Sequence, residues 1–156
     1  MSGLTEPRGH WEHWLVHLLW AVSTRTSALG EAALADSPLT LAGLGLLENV
    51  KARPGITIAE ISRRAPQTQQ ALSQVAARLE KLGFIERRLA GPGRGRGVGL
   101  HVTPAGEAAR LRAEQATEQF EGMLADALGP EQHRRLVALL EEMRPVVEEL
   151  QGTRGA

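Results

Sequence analysis

The sequence predicts a mainly α-helical fold of the α+β class, in which amphipathic helices lie before and after one β-hairpin. Ala, Leu, Arg, Glu and Gly dominate its 156 residues, and β-branched and aromatic residues are few, which favours helices. Apolar residues recur at helical spacing along most of the chain, but around one Gly/Arg-rich loop they alternate with charged residues. A chain of this length is expected to form a single domain, residues 1–156, with a substantial core.

Several classes of protein are excluded or disfavoured by what the sequence lacks. There is no cysteine, so disulfides, thiolate catalysis and thiol-based redox sensing are excluded. No apolar run approaches the roughly 20 residues needed to cross a bilayer, and the first ten residues, MSGLTEPRGH, show no signal-peptide pattern. A cytoplasmic protein is therefore expected.

The first predicted helix covers residues 10–35 and is apolar on nearly every side of its first half, from Trp11 to Val22. A helix of this kind must be buried on all sides. We therefore expect another helical arm of the chain, a partner subunit, or both, to cover it. Gly30 is expected to break or bend this helix before Ala35.

Three histidines, His10, His13 and His17, fall close together on this helix, with Trp14 beside them. Histidines one turn apart can share a metal ion, but no Asp, Cys or further His stands nearby to complete the ligand set, and Glu12 points elsewhere. We therefore favour histidines at a subunit interface or along a pocket, and we predict no metal and no cofactor. A pH-sensitive or ligand-facing role stays open.

The second predicted helix starts after a turn at residues 36–38 and ends at residues 54–55, Pro-Gly. Its inward-facing residues are Leu41, Leu44, Leu47 and Val50. Thr57 then caps a short third helix, and Glu60 stands at the capping-box position. This helix is expected to turn Ile58, Ile61 and Ala65 inward and Arg63 and Arg64 outward.

Residues 68–83, TQQALSQVAARLEKLG, predict the fourth helix, with Thr68 as its N-cap and Gly83 as a left-handed residue at its end. Its apolar face consists of Leu72, Val75, Ala76 and Leu79. Its opposite face begins with Gln69, Gln70, Ser73 and Gln74, which are residue types that bond to base edges in a DNA major groove. Taken alone, this pattern fits an ordinary polar surface helix better. However, a short helix, a tight turn and a longer helix in succession form a helix-turn-helix arrangement.

The sequence then alternates apolar and charged residues (84–90, FIERRLA), passes through GPGRGRG (91–97) and becomes strand-like again (98–103, VGLHVT). Two short strands around such a loop predict a β-hairpin, which after a helix-turn-helix is a wing. A flexible tip without a partner is the alternative. We favour DNA contacts by Arg94 and Arg96, because the glycines between them let guanidinium groups approach phosphates or a minor groove.

The net charge is zero but unevenly distributed. Between Lys51 and Arg96, ten basic residues stand against three acids, whereas between Pro104 and Leu150 five arginines stand against ten acids. A basic middle between acidic ends indicates that one part of the fold meets nucleic acid.

Two long helices are predicted at the C-terminal end, residues 105–128 and 131–150, with Pro145 as a candidate kink. Their apolar stripes are Ala108, Leu111, Ala116, Phe120, Met123 and Leu124, and then Leu136, Leu139, Leu140, Met143, Val146, Val147 and Leu150. These helices exceed what the core of a winged helix needs, and a palindromic site requires a two-fold protein. We therefore predict a winged helix-turn-helix lobe and a dimerisation region, at residues 38–103 and at 10–35 and 104–150 respectively.

The order of these elements, and three motifs within residues 39–111, resemble the MarR (multiple antibiotic resistance regulator) family. The motifs are LTLAGLGLLENVKARPGITIAEISRRA, TQQALSQVAARLEKLGFIERR and HVTPAGEAARL. The resemblance implies a homodimeric winged-helix transcription regulator. It places the recognition positions on Thr68, Gln69, Gln70, Ser73 and Gln74, with Arg78 nearer the phosphates. The wing departs from the family, because an Asp-x-Arg tip is replaced by Gly-Arg repeats in which Arg94 or Arg96 stands in for the wing arginine.

The resemblance also implies an effector, since members of the family often bind small aromatic or phenolic acids between the dimer helices and the DNA-binding lobe. The residues expected to line such a cavity are Trp11, Trp14, Trp20, His13, His17 and Arg25. The alternative, which is the commoner role of a Trp-rich stripe, is a core or an interface.

The function predicted from the sequence is a repressor that binds a palindromic operator as a homodimer and is relieved by a ligand. The alternative is a winged-helix module that binds a partner protein and not DNA. No enzyme is expected, because no catalytic triad, paired-carboxylate cleft, phosphate-binding loop or metal shell appears at usable spacing.

Overall fold

The computed structural model describes residues 10–65, 67–89 and 98–154. A 3₁₀ turn at His10–His13 precedes six α-helices and two strands. In chain order these are α1 (Leu15–Ala33), α2 (Leu41–Ala52), α3 (Ile58–Ser62), α4 (Gln69–Lys81), β1 (Ile85–Leu89), β2 (Val98–Val102), α5 (Pro104–Leu128) and α6 (Pro130–Arg154). The chain forms two compact units, which divide within α5 after Thr117.

The core of the first unit lies among α2, α3, α4 and the hairpin. Leu47 and Val50 of α2 and Leu100 of β2 are completely buried, and Ile61 of α3 is nearly so. The apolar face predicted for α4 is confirmed, because Leu72, Ala76 and Leu79 are buried and Val75 packs against them. Burial of this stripe leaves the opposite face of α4 in solvent.

Side-chain caps fix the helix ends where the sequence predicts them. Thr57 and Glu60 form a capping box, with Glu60 N–H donating to Thr57 Oγ1 over 3.2 Å and Thr57 N–H to Glu60 Oε2 over 2.8 Å. Thr68 Oγ1 accepts from the N–H of Ala71 over 3.2 Å. Gly83 has φ of +73°, a left-handed conformation that favours glycine. These caps define the turn between α3 and α4 and the end of α4.

The predicted wing is a regular antiparallel pair. Ile85 lies opposite Val102 and Leu89 opposite Val98, so the hairpin loop connects the outer ends of β1 and β2. The loop between α2 and α3 adds to the same sheet, since the N–H of Gly55 donates to the carbonyl of Leu100 over 2.8 Å. The tip of the wing, with Arg94 and Arg96, lies outside the described residues.

Two predictions about the helices are wrong. Gly30 does not break α1, which continues to Ala33. Gly30 is instead buried where a Cβ would lie 2.8 Å from Cδ1 of Leu41, so it permits close packing of α1 on α2. In α5, Ala108 and Leu111 are exposed.

The face of α5 that packs on the lobe is shifted from the predicted one and consists of Gly106, Ala109, Arg110 and Ala113. A Cβ on Gly106 would lie 2.0 Å from the carbonyl oxygen of Phe84. The small residues therefore determine which face of α5 packs on the lobe. The prediction was wrong because it relied on the larger apolar residues. Ala116 does pack against the core, as predicted.

Helices α1 and α6, each considered within its own unit, carry apolar side chains into solvent. Trp14, which directly precedes α1, and Val16 and Trp20 of α1 are more than half exposed, as are Leu139 and Leu150 of α6. Helix α6 contains Pro145 and continues beyond it to Arg154. In the described part of the chain, no helix combines the length and the apolar character needed to span a membrane.

Candidate nucleic-acid interface

The exposed face of α4 carries all six sequence-predicted positions of the recognition helix. Thr68, Gln69, Gln70, Ser73, Gln74 and Arg78 are all exposed. They lie opposite the buried stripe, so packing of that stripe on α2 and α3 fixes the direction in which they point. The structure therefore brings these six residues together on one surface.

The six side chains are not equally available to a partner. The oxygen of Thr68 already accepts the capping hydrogen bond, and Ser73 Oγ donates to the carbonyl of Gln69 over 2.8 Å. Ser73 therefore presents mainly acceptor capacity to an outside donor. Gln70 and Gln74 lie one turn apart on the exposed face and each offers both an amide donor and a carbonyl acceptor.

Cations flank this face. Arg63 and Arg64 follow α3, and Arg78 and Lys81 occupy the last turns of α4; all four are exposed. The described residues place no carboxylate within ion-pair distance of these four side chains. They are therefore available to neutralise phosphates of a nucleic acid.

Three other basic residues of the middle segment are paired with acids. Arg87 Nε lies 3.0 Å from Glu80 Oε2, Arg88 pairs with Glu86, and Lys51 Nζ lies 2.5 Å from Glu107 Oε1. Among the described basic residues of this segment, those without a carboxylate within ion-pair distance are therefore Arg53, at the end of α2, and the four residues around α3 and α4.

The residues predicted to line an effector cavity come together only in part. The rings of Trp11 and His17 meet edge to face with centroids 4.0 Å apart, and His17 lies 5.8 Å from Trp20. Trp14 and His13 are exposed, and Arg25 Nη1 donates to a carbonyl of its own helix over 3.1 Å. Among the described residues, no three His, Asp or Glu side chains are grouped so that they could hold a metal.

Arg110 is a functional candidate that was not predicted from the sequence. It is 7% exposed and lies at the contact between α2 and α5. Its guanidinium pairs with Glu48 of α2 over 2.5 Å, and with Glu107 and Glu114 of α5 over 3.0 and 3.1 Å. In the sequence, the spacing of Glu107, Arg110 and Glu114 by three and four residues indicates ion pairs along one face of a helix.

Arg110, Lys51 and their glutamate partners form an ion-pair network in which each charge stabilises the opposite one. Hydrogen bonds from Arg110 and then from Lys51 lower the pKa of Glu107 to about 2, because both favour the carboxylate form. The bonds that Glu107 and Glu48 accept raise the pKa of Arg110. Glu107 and Arg110 therefore stay charged over the physiological pH range.

Comparison with known proteins decides the family. A sequence model described as the MarR family matches residues 37–97. The HTH-type transcriptional repressor Rv2887 from Mycobacterium tuberculosis is 30% identical over 129 residues, which are 83% of this chain and 92% of the repressor. The chain belongs to the MarR family. It is therefore a DNA-binding transcriptional regulator, as the sequence predicts.

Two solved structures share the fold of this chain. The Rv2887 protein in complex with salicylic acid superposes with a TM-score of 0.68, 30% identity, and coverage of 83% of this chain and 96% of that one. The transcriptional repressor CouR, bound to a 23-mer DNA duplex, gives a TM-score of 0.81 at 23% identity, with coverage of 90% and 99%. The winged helix-turn-helix fold with helical extensions is thus confirmed.

Proposed function

We propose that this MarR-family chain is a ligand-responsive repressor that binds a palindromic operator as a homodimer. The exposed polar face of α4, flanked by cations without carboxylate partners among the described residues, supports this proposal most directly. Such a helix fits a major groove, where its amide side chains meet base edges while the cations meet phosphates. The 23-mer DNA bound to CouR, a protein of the same fold, is consistent with this role.

Within this proposal the residues of the interface divide by chemistry. Gln70 and Gln74 read bases, because a terminal amide can both donate to and accept from an adenine edge. Gln69, Ser73 and Thr68 complete the recognition surface. Arg78 positions the helix on the phosphates, as do Arg94 and Arg96 from the wing.

The homodimer follows from the uncovered apolar surface of the terminal helices. An operator of two-fold symmetry needs a protein of two-fold symmetry. We assign residues 38–103 to the DNA-binding lobe and residues 10–35 and 104–150 to dimerisation. Exposed Trp and Leu side chains on α1 and α6 supply the apolar area that subunit association buries.

The response to a ligand is proposed on the basis of the salicylic acid bound to Rv2887, the 30% identical relative. A ligand that binds two arrangements of the lobes unequally shifts the balance between them, and so changes the separation of the two recognition helices. The predicted effector site remains the set of Trp11, Trp14, His13, His17, Trp20 and Arg25, in which the rings of Trp11, His17 and Trp20 lie together. No catalytic role is proposed, and the expected cytoplasmic location agrees with action on DNA.

The proposal is tested by titrating DNA from the promoter region of the protein's own gene in a band-shift assay at several salt concentrations. We expect saturable binding whose affinity falls steeply with salt, because phosphate neutralisation releases counterions. Gln70→Ala is expected to relax sequence preference, with a loss of about 1–3 kcal/mol on the operator alone. Arg94→Ala should weaken binding to all sequences. Absence of salt-sensitive binding would refute the proposal.

A further inference from the structure

The guanidinium of Arg110 bonds to two helices at once. Its Nε and Nη2 atoms donate to the two carboxylate oxygens of Glu107 over 3.0 and 3.2 Å. Its Nη1 atom donates to Glu48 of α2 over 2.5 Å and to Glu114 of α5 over 3.1 Å. The orientation of this buried side chain is therefore fixed, because a planar fork must match several acceptors together.

The apolar part of the contact between α5 and the lobe consists of small residues. Ala109 and Ala113 are completely buried, and Gly106 lies against the backbone of Phe84. These residues allow a close approach, but they have no long side chains that interlock with a neighbouring helix. Because apolar burial is non-directional, this part of the contact holds α5 on the lobe without fixing its angle.

The start of α5 is fixed separately from the region of Arg110. The N–H of Thr103 donates to the carbonyl of Phe84 over 3.0 Å, and Thr103 Oγ1 donates to the carbonyl of Gly83 over 2.6 Å. Arg110 lies about 9 Å further along the helix, at a rise of 1.5 Å per residue. The ion pair with Glu48 is therefore a second point of attachment, and two points define the direction of α5 on the lobe.

Another ion pair joins the same two helices but is less directional. Lys51 Nζ of α2 lies 2.5 Å from Glu107 Oε1 of α5, and the Lys51 side chain is 52% exposed. An ammonium is a point charge on a flexible stem, whereas a guanidinium has a fixed plane. The bond between Arg110 and Glu48 is therefore the directional link between α2 and α5.

We propose that Arg110 is a positioning residue which, by holding α2 at a fixed angle to α5, sets the half-site spacing that the homodimer accepts. This proposal rests on the function proposed above, in which residues 38–103 bind DNA and residues 104–150 dimerise. Helix α5 is continuous from Pro104 to Leu128, so it connects the lobe to the dimerisation region. A buried ion pair can specify one arrangement without adding much stability.

Glu48 and Glu114 offer a matched pair of substitutions. Both accept from Arg110 Nη1, and their side chains are 46% and 42% exposed. Only Glu48 belongs to another helix, because Glu114 lies one turn from Arg110 on α5. Glu48→Ala therefore breaks the link between the helices and Glu114→Ala does not, while both variants keep Glu107 on the guanidinium. The two variants should lose similar, small amounts of stability.

The first measurement requires no DNA. The chain contains no cysteine, so spin labels can be attached at Ala77→Cys in α4 and Arg112→Cys in α5, both of which are exposed positions. Labelled protein is diluted into excess unlabelled protein, and pulsed electron paramagnetic resonance then gives the distance distribution within one chain. Glu48→Ala should broaden this distribution, and Glu114→Ala should leave it unchanged. Equal widths in the two variants would overturn the proposal.

The second measurement compares DNA duplexes that differ in half-site spacing. The inverted repeat that the protein selects is prepared with its own spacing and with one base pair added, which rotates one half-site by about 35° around the duplex axis. A single half-site serves as the reference. Glu48→Ala should reduce the preference for the selected spacing by about fivefold and leave affinity for the single half-site unchanged. Glu114→Ala should keep the full preference.

Arg110→Lys extends the test, because lysine keeps the charge but loses the planar fork. It should reduce the spacing preference as Glu48→Ala does. A spacing preference that is the same in Glu48→Ala and Glu114→Ala, or a loss on the single half-site as large as on the whole repeat, would overturn the proposal. If the unmodified protein selects no inverted repeat, the proposed function is refuted instead, and the distance measurement still decides whether the bond between Arg110 and Glu48 holds the helices at a fixed angle.

Discussion

The DNA-binding lobe and the terminal helices differ in the burial of their apolar residues. In the lobe, Leu47, Val50 and Leu100 are completely buried within one protomer. In the terminal helices, Trp20 is 62% and Leu139 is 54% exposed. The lobe thus buries its apolar side chains within one protomer. The apolar side chains of α1 and α6 stay exposed in one protomer and become buried only when further protein surface covers them. Stability of the lobe should therefore depend on residues within one chain, and that of α1 and α6 on association.

The largest expected effect comes from replacing a leucine by alanine in the lobe and, for comparison, in a terminal helix. Leu47→Ala should cost about 2–5 kcal/mol in the free energy of unfolding, because it leaves a cavity in a closed core. Leu139→Ala should mainly weaken subunit association. Denaturant unfolding at several protein concentrations measures both. A concentration-independent loss of equal size in the two variants would break the comparison.

An intermediate effect is expected from glycines at two positions of the same helix, α5. Gly106→Ala should cost about 1–3 kcal/mol, because its Cβ would overlap the carbonyl of Phe84. At Gly122, by contrast, a Cβ would meet no neighbouring atom of the described residues within 4 Å. Gly122→Ala should therefore stabilise the helix by about 0.5–1 kcal/mol. Thermal unfolding of the two variants checks these opposite signs, and destabilisation by both would contradict the packing described for α5.

The smallest effect concerns the pH dependence of the contact between α2 and α5. The pKa of Glu107 is lowered to about 2 from an ordinary value of 4.5, so the folded protein favours the carboxylate form of this side chain. Its contribution to stability is complete above about pH 4.5 and is lost as pH falls toward 2. The contribution is modest because solvent screens the partly exposed side chain.

Glu107→Gln should therefore make the acid-induced loss of stability shallower between pH 4.5 and 2. Urea unfolding at a series of pH values in this range measures the slope. An unchanged slope would show that the ion pairs of Glu107 do not contribute to the folded state.

The parts of the fold that local chemistry determines were predictable from the sequence. The caps at Thr57 and Thr68, the left-handed Gly83, the apolar face of α4 and the pairing of the two strands all agree with the structure. Each depends on residues a few positions apart, or on a periodicity that one segment carries by itself.

The parts that depend on distant neighbours were not predictable in this way. Gly30 has the signature of a helix breaker, but its function is to admit Leu41 against α1. Gly106 similarly sets which side of α5 faces the lobe. Arg110 is one arginine among several in an acidic segment, and only the fold places Glu48 beside it. The recognition face of α4 was predictable because the apolar stripe of the helix is visible in its own sequence. The polar residues on the other side of the helix are then exposed.

The central claim, that the exposed face of α4 reads DNA in a two-fold protein, is tested most directly by selecting binding sites from a random DNA pool. The unmodified protein should enrich an inverted repeat whose half-sites are about one helical turn, or a multiple of it, apart. Gln70→Ala should lose base preference at one position in each half-site, symmetrically. No enriched repeat, or a repeat that Gln70→Ala and Gln74→Ala both select unchanged, would contradict the claim.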